Sequence, residues 1–190
     1  MPPINNYDIT IKMGRIKTPL PGKLILSAIY SSPEALQSAS MQFEKKFGHV
    51  ELETEILDFT HTDYYQEEMG DKLKRKFFAF EKLVKRDQLA DIKIFSNKLE
   101  EKFGDKTGDF VFRTVNLDPG IMTLSGLTLA STKDFSHRIY LRDGIYAEKT
   151  LIYEKKQFKP LPWTYPDYKD SKILEFLTKV RETMKKMEFE

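Results

Sequence analysis

The sequence predicts an α+β fold, and three observations predict it. Compact apolar runs of strand length (residues 23–31 and 76–84) alternate with stretches whose apolar residues recur at helical spacing (36–47 and 89–103). Each helical stretch opens on a capping residue and closes on a glycine: Ser32 with Gly48, Asp87 with Gly104. Asp143-Gly144, set between two strand-like runs, is the two-residue signal of a tight hairpin.

Taken in order, residues 1–22 carry Pro2, Pro3, Pro19, Pro21 and Gly22 and read as a loosely attached arm. Lys23–Ser31 is the first strand. Ser32, Pro33 and Glu34 supply a cap, a proline at the first helical position and a first-turn acid, and Leu36, Ala39, Phe43 and Phe47 form the stripe of the helix they open. Val50–Phe59 alternates like a half-buried strand, and the aromatic-rich run Lys76–Val84 is a third. A second helix carries Leu89, Ile92, Phe95, Ser96, Leu99 and Phe103. Asp109–Leu117 is a fourth strand. The order strand, helix, strand, strand, helix, strand is the split βαβ pattern of ferredoxin-like folds: a βαββαβ core with an antiparallel sheet and two helices on one face.

The rest extends that core. Ile121–Thr132, rich in small residues, predicts a short helix; His137–Tyr153 a β-hairpin; residues 160–168 (PLPWTYPDY) a rigid aromatic loop; and Ser171–Lys186 an amphipathic helix. One α+β domain over 23–190 is expected, with the core in 23–118 and the extension in 119–190.

Composition narrows function more than it defines it. The 190 residues are 40% hydrophobic and 32% charged, which suits a globular chain rather than a disordered one. The net charge of +2 gives no global field, so nucleic-acid affinity would need a local patch. With no cysteine there is neither a disulfide nor a thiol nucleophile, which suits a cytoplasmic location. The first residues hold no apolar run of signal-peptide or membrane-anchor length, so no membrane association is expected. With three histidines and no ligand spacing, no metal site is expected, and no cofactor is identifiable.

Several stretches have residue types suited to a site. Asn116-Leu117-Asp118-Pro119-Gly120 follows a strand and reads as a turn, since proline presets φ and glycine tolerates positive φ. It would also present Asn116, Asp118 and Gly120 at a strand-to-helix edge, where free amides suit an anion. In the hairpin, a two-residue turn pairs Leu141 with Tyr146 and Ile139 with Glu148, which sets His137 diagonal to Glu148 and puts Arg138 on the opposite face. A carboxylate that orients an imidazole makes His137 a candidate general base and Glu148 its partner; the plainer reading is a salt-bridged structural histidine. Lys133 lies just upstream. Tyr64 and Tyr65 fall in a polar connecting segment, and Trp163 and Tyr165 in the aromatic loop. These residues outline a pocket for a small anionic ligand, phosphate-bearing in the first instance.

Two other functions compete. Over Lys72–Phe80, the basic residues Lys72, Lys74, Arg75 and Lys76 precede Phe78 and Phe80, a partial match to the basic and aromatic strand of an RNA-recognition motif. The strand lacks the expected glycine, and the first strand lacks its aromatic. A non-catalytic protein-interaction module that docks a partner through the aromatic loop is the third reading.

The stretches "TDYYQEEMG", "KFFAFEKLV", "LADIKIFSNKLEEKF", "VNLDPGIMTL", "ASTKDFSHRIYLRDGIYAE" and "PLPWTYPDY" together resemble a prokaryotic family, domain-of-unknown-function family forty-four sixteen. The resemblance spans most of residues 23–185. It implies a small cytoplasmic protein and brings no activity or catalytic residue. No GxxxxGK[ST] phosphate loop is present.

Overall fold

A computed structural model describes residues 14–60, 62–107 and 110–187. His61, one of the polar residues next to Tyr64, lies outside them. A nine-stranded sheet dominates, with strands in the order β11-β10-β8-β7-β1-β4-β2; β3 adds to β4 and β9 to β10. All the pairings in it are antiparallel.

The strand β1 (Gly22–Tyr30) lies at the centre and is buried along nearly its whole length. Ser32 caps α1 (Pro33–Phe47), its hydroxyl accepting from the Ala35 amide, and Gly48 ends the helix at φ 85°. The single strand expected over 50–59 is two short ones, β2 (Val50–Glu53) and β3 (Leu57–Asp58), both on β4 (Lys74–Val84). A four-residue helix α2 (Gln66–Met69) lies between β3 and β4. The second long helix, α3 (Leu89–Phe103), is preceded by a 3-10 turn that absorbs Asp87, so Asp87 is not its cap. A separate hairpin, β5 (Asp105–Thr107) with β6 (Phe110–Phe112), holds the start of the predicted fourth strand.

The sheet separates two cores. Even-numbered residues of β1 (Leu24, Leu26, Ala28) pack with Phe78 and Phe80 of β4 under α1 and α3. Ile25, Phe77 and Met122 face the other way, under Tyr168 and the C-terminal helix α4 (Ser171–Lys185). Phe43 is fully buried and contacts the rings of Phe47, Phe80 and Phe95 at 5.2–5.7 Å between centroids. Such ring pairs add to the area that each phenylalanine removes from water.

Two expectations about 113–132 are overturned. Asn116–Gly120 is not a turn: it lies inside β7 (Val115–Thr123), whose ladder with β1 runs unbroken from Tyr30↔Val115 to Lys23↔Met122. Nor is 121–132 a helix: it is the end of β7, a tight reversal, and β8 (Gly126–Ser131). Tertiary pairing outweighs the local turn chemistry. Pro119 is tolerated because the β7–β8 ladder stops at Gly120↔Leu129, so the amide it lacks falls where β8 has already left. Gly120 is needed for close approach rather than for φ: a Cβ there would meet the Thr128 carbonyl oxygen at 2.9 Å and Leu129 Cδ2 at 2.7 Å. Gly120→Ala is expected to cost about 1–3 kcal/mol by overpacking, read as a lower urea midpoint with an unchanged slope.

The hairpin forms as expected, β9 (Arg138–Arg142) with β10 (Ile145–Glu154), and Asp143 and Gly144 both take positive φ. Its register differs from the prediction. Arg142 pairs with Ile145, but a bulge then shifts the pairing by one, so Tyr140 faces Tyr146 and Arg138 faces Glu148. The short strand β11 (Gln157–Pro160) completes the sheet edge. No helix among the described residues is long and apolar enough to cross a membrane.

Candidate functional site

The site follows from how the sheet divides. Beyond Gly120, β7 stays paired with β1 while β8 follows β10, pairing Ala130 with Ala147 and Ser131 with Tyr146. The edge of β7 that β8 leaves would carry unpaired backbone groups. Helix α3 satisfies them: Lys93 Nζ donates to the Leu117 carbonyl at 2.8 Å, and Glu100 Oε1 accepts from the Leu117 amide at 2.9 Å. A cleft of about 740 Å³ opens in the division, with Asn116 and Asp118 on one wall and Ala130, Ser131 and Glu148 on the other.

The β7 wall is a charge network. Lys93 Nζ lies 3.1 Å from Asp118 Oδ1 and 3.7 Å from Glu100 Oε1. Arg113 spans Glu68, Glu100 and the Asn116 side chain at 2.6–3.3 Å, and the Asn116 amide donates to Asp118. Burial pushes the Asp118 carboxyl up, but the Lys93 ammonium beside it, helped by Arg75 and the Asn116 amide, outweighs this and holds it below its usual value. For Glu100 burial wins, and its carboxyl is raised despite Lys93. The hydrogen bonds that Arg113 donates to Glu68 hold its guanidinium above the ordinary value.

The floor is Arg75, 4% exposed. It is ion-paired with Asp167, donates to Ser27 Oγ at 2.7 Å, and lies over the rings of Phe77 and Tyr168 at 4.7 and 4.9 Å. Burial lowers its guanidinium and pushes the Tyr168 hydroxyl up to about 12. Tyr65 packs against Phe59 at the same end, and burial raises its hydroxyl too.

The third wall is the hairpin. Glu148 is 1% exposed, and its Oε2 accepts from Arg138 Nε at 2.8 Å and contacts His137 Nε2 at 3.1 Å. Its Oε1 is buried without a hydrogen-bond partner. Arg138 also donates to the Lys133 carbonyl and the Tyr165 hydroxyl, at 3.0 and 2.9 Å. Lys133 Nζ reaches the Tyr64 hydroxyl at 3.0 Å, a bond that lowers the pKa of that phenol.

Most residues singled out in the sequence therefore meet in one place: Asn116, Asp118, Lys133, Arg138, Glu148 and the tyrosines 64, 65 and 165 all line the cleft. Arg138 joins because the bulge turns it to the face of Glu148, against the register expected from the sequence. Three do not line it. Gly120 is at the hinge of the division. His137 stacks on Trp163, with ring centroids 4.9 Å apart at 12°, and touches Glu148 from outside the cleft, while the Trp163 indole donates to the Lys149 carbonyl. His137 therefore meets Glu148 but is not among the residues that line the cleft.

The basic strand is corrected as well. Phe78 and Phe80 are 4% and 0% exposed in the core under α1, so neither offers a base-stacking face. Lys74 and Lys76 pair with Asp58 and Glu53, and Arg75 is the cleft floor. Sequence reasoning missed Lys93, Glu100 and Arg113. A signal existed for two of them: Lys93 and Glu100 are seven residues apart, on the same helical stripe as Leu89 and Ser96, and charges on a buried stripe require partners.

The fold and site define an α+β protein built on one large antiparallel sheet, with a charged cleft where that sheet divides. The chain belongs to the family described as a domain of unknown function, DUF4416, whose model matches residues 20–184. No curated protein and no solved structure matches it.

Proposed function

We propose that this protein binds a small ligand bearing an anionic group, phosphate in the first instance, in the cleft between β7 and β8. The observation that carries this reading is Lys133. Of the five cations lining the cleft, Arg75, Lys93, Arg113 and Arg138 each have a carboxylate partner, whereas among the described residues the Lys133 ammonium meets the Tyr64 hydroxyl and ring and no carboxylate. An uncompensated ammonium at the mouth of a cleft of about 740 Å³ suits a small anion; cavities of this size hold metabolite-sized ligands. The neighbouring salt bridges fix the walls in place, so that little ordering is left to oppose binding.

Isothermal titration against phosphate, pyrophosphate and a panel of phosphorylated metabolites tests it. At least one is expected to bind, and Lys133→Gln is expected to weaken that binding about 10-fold or more, the worth of a hydrogen bond to a charged group. Binding that Lys133→Gln leaves unchanged would refute the assignment. Failure of every anion would favour the interaction-module reading, for which the exposed Ile139, Tyr140 and Leu141 of β9 speak.

We further infer that β1, α1, β2, β4, α3 and β7 form a ferredoxin-like core within the larger sheet. Support comes from their order in the sheet, β7-β1-β4-β2, and from α1 and α3 packing on one face.

A further inference from the structure

We infer that the ligand of this cleft is a hydroxylated phosphate, a sugar or polyol phosphate, whose hydroxyl donates to Glu148 Oε1 while its phosphate meets Lys133. This rests on the anion-binding reading above and names the ligand class. The second observation is the orphaned acceptor. Glu148 lines the cleft at 1% exposure, its Oε2 is occupied by Arg138 and His137, and its Oε1 has no partner. A buried acceptor left unmade is costly, and a ligand that supplies a donor removes that cost.

The donor is a hydroxyl rather than an ammonium because of the charge around it. Arg138 Nε is 2.8 Å from the other oxygen of the same carboxylate, and Arg138 in turn donates to the Lys133 carbonyl at 3.0 Å. A ligand ammonium would sit beside the Arg138 guanidinium, whereas a neutral hydroxyl meets no such repulsion. Arg138 thus touches both parts of the proposed site, the Lys133 main chain and the Glu148 carboxylate, and both residues line the same cleft. Tyr64 and Tyr165, 61% and 45% exposed, stand beside Lys133 and Arg138 and offer ring surface to the C–H face of a sugar.

The experiment is a calorimetric comparison on the intact chain of ribose 5-phosphate and glucose 6-phosphate with n-butyl phosphate, phosphoethanolamine and inorganic phosphate. At least one sugar phosphate is expected to bind about 10-fold or more tightly than n-butyl phosphate, which carries the same anion without hydroxyls. Glu148→Gln is expected to abolish that preference, bringing the ratio of sugar phosphate to n-butyl phosphate affinity to about one whatever the change in anion affinity itself: with the Gln oxygen held by Arg138, its amide nitrogen replaces the free acceptor with a donor. If that variant does not fold, ribose 5-phosphate against 2-deoxyribose 5-phosphate and n-butyl phosphate on the unaltered protein gives the same reading from the ligand side. Equal affinity for n-butyl phosphate and both sugar phosphates would overturn this inference and leave the anion site standing. Tighter binding of phosphoethanolamine would overturn the choice of hydroxyl. If none of the phosphates binds, the anion-binding reading itself fails, and this inference with it.

Discussion

Asp167→Ala is expected to lower stability by about 3–5 kcal/mol, the loss typical of a buried ion pair stripped of one partner. Arg75 is 4% exposed, and its guanidinium is held by Asp167, by Ser27 Oγ and by the faces of two aromatic rings. Removing the carboxylate leaves a full charge under α4 and the aromatic loop beside the neutral hydroxyls of Ser27 and Tyr168. For a chain of this size each kcal/mol moves the melting temperature by roughly 2–4 °C, so a fall of about 6–20 °C is expected in a thermal melt. The double variant Arg75→Met with Asp167→Leu removes both charges and is expected to recover most of the loss, because apolar residues of similar volume often replace a buried pair without penalty. A fall of under about 2 °C for Asp167→Ala would show that the pair does not hold the loop on the sheet. The loop matters for the site, since Tyr165 and Tyr168 flank Asp167 and line the cleft with it.

The parts of this structure that were legible in the sequence are those set by local signals. The α1 cap at Ser32, its end at Gly48, the periodicity of α3 and the Asp143-Gly144 turn are each written within a few residues, and each is where it was expected. The segment 113–132 was misread because its local and tertiary preferences conflict. Asp-Pro-Gly favours a turn, but eight consecutive pairings with β1 outweigh it, and 126–131 is held as a strand by its ladders with β7 and β10 rather than coiling. The site was half legible for a related reason. Asn116 and Asp118 stand out in the sequence as polar groups of an expected turn, Lys133 as a cation just upstream of the hairpin and Glu148 as a carboxylate within it. That they face one another depends on where β8 leaves β7, and on a bulge at Leu141 that rotates Arg138 inward. Neither is encoded in any one short stretch. Arg75 was visible as a basic residue, but its burial depends on Asp167, 92 positions later in the chain.

Lys93→Met is the variant that tests the β7 wall, and its signature is in the pH dependence. Lys93 is the cation between the buried Glu100 and the half-buried Asp118, and the donor to the Leu117 carbonyl. In the native protein the Asp118 carboxyl lies below its unfolded value of 3.8, so its ionisation supports folding above that pH, and the support is lost as the pH falls through the folded value. Glu100 is the opposite case: burial raises it above 4.5, so its charge opposes folding at neutral pH, and Lys93 is the main group limiting that opposition. Methionine fills the volume and removes the charge. Asp118 keeps the Asn116 amide and the more distant Arg75, and Glu100 keeps Arg113, but both carboxyls move upward. Their ionisation then works against the folded state, and the variant gains stability as acid protonates them. A deficit of about 3–5 kcal/mol is expected near pH 7.5, narrowing by about 1 kcal/mol or more near pH 5, since each pKa unit of displacement is worth about 1.4 kcal/mol. Urea unfolding of both proteins at the two pH values measures it. A deficit of the same size at both would mean that Lys93 acts by packing and by its bond to Leu117 alone. The narrowing would establish that the cleft wall is held by charge, with Lys93 favouring the ionised form of both carboxylates where the sheet divides.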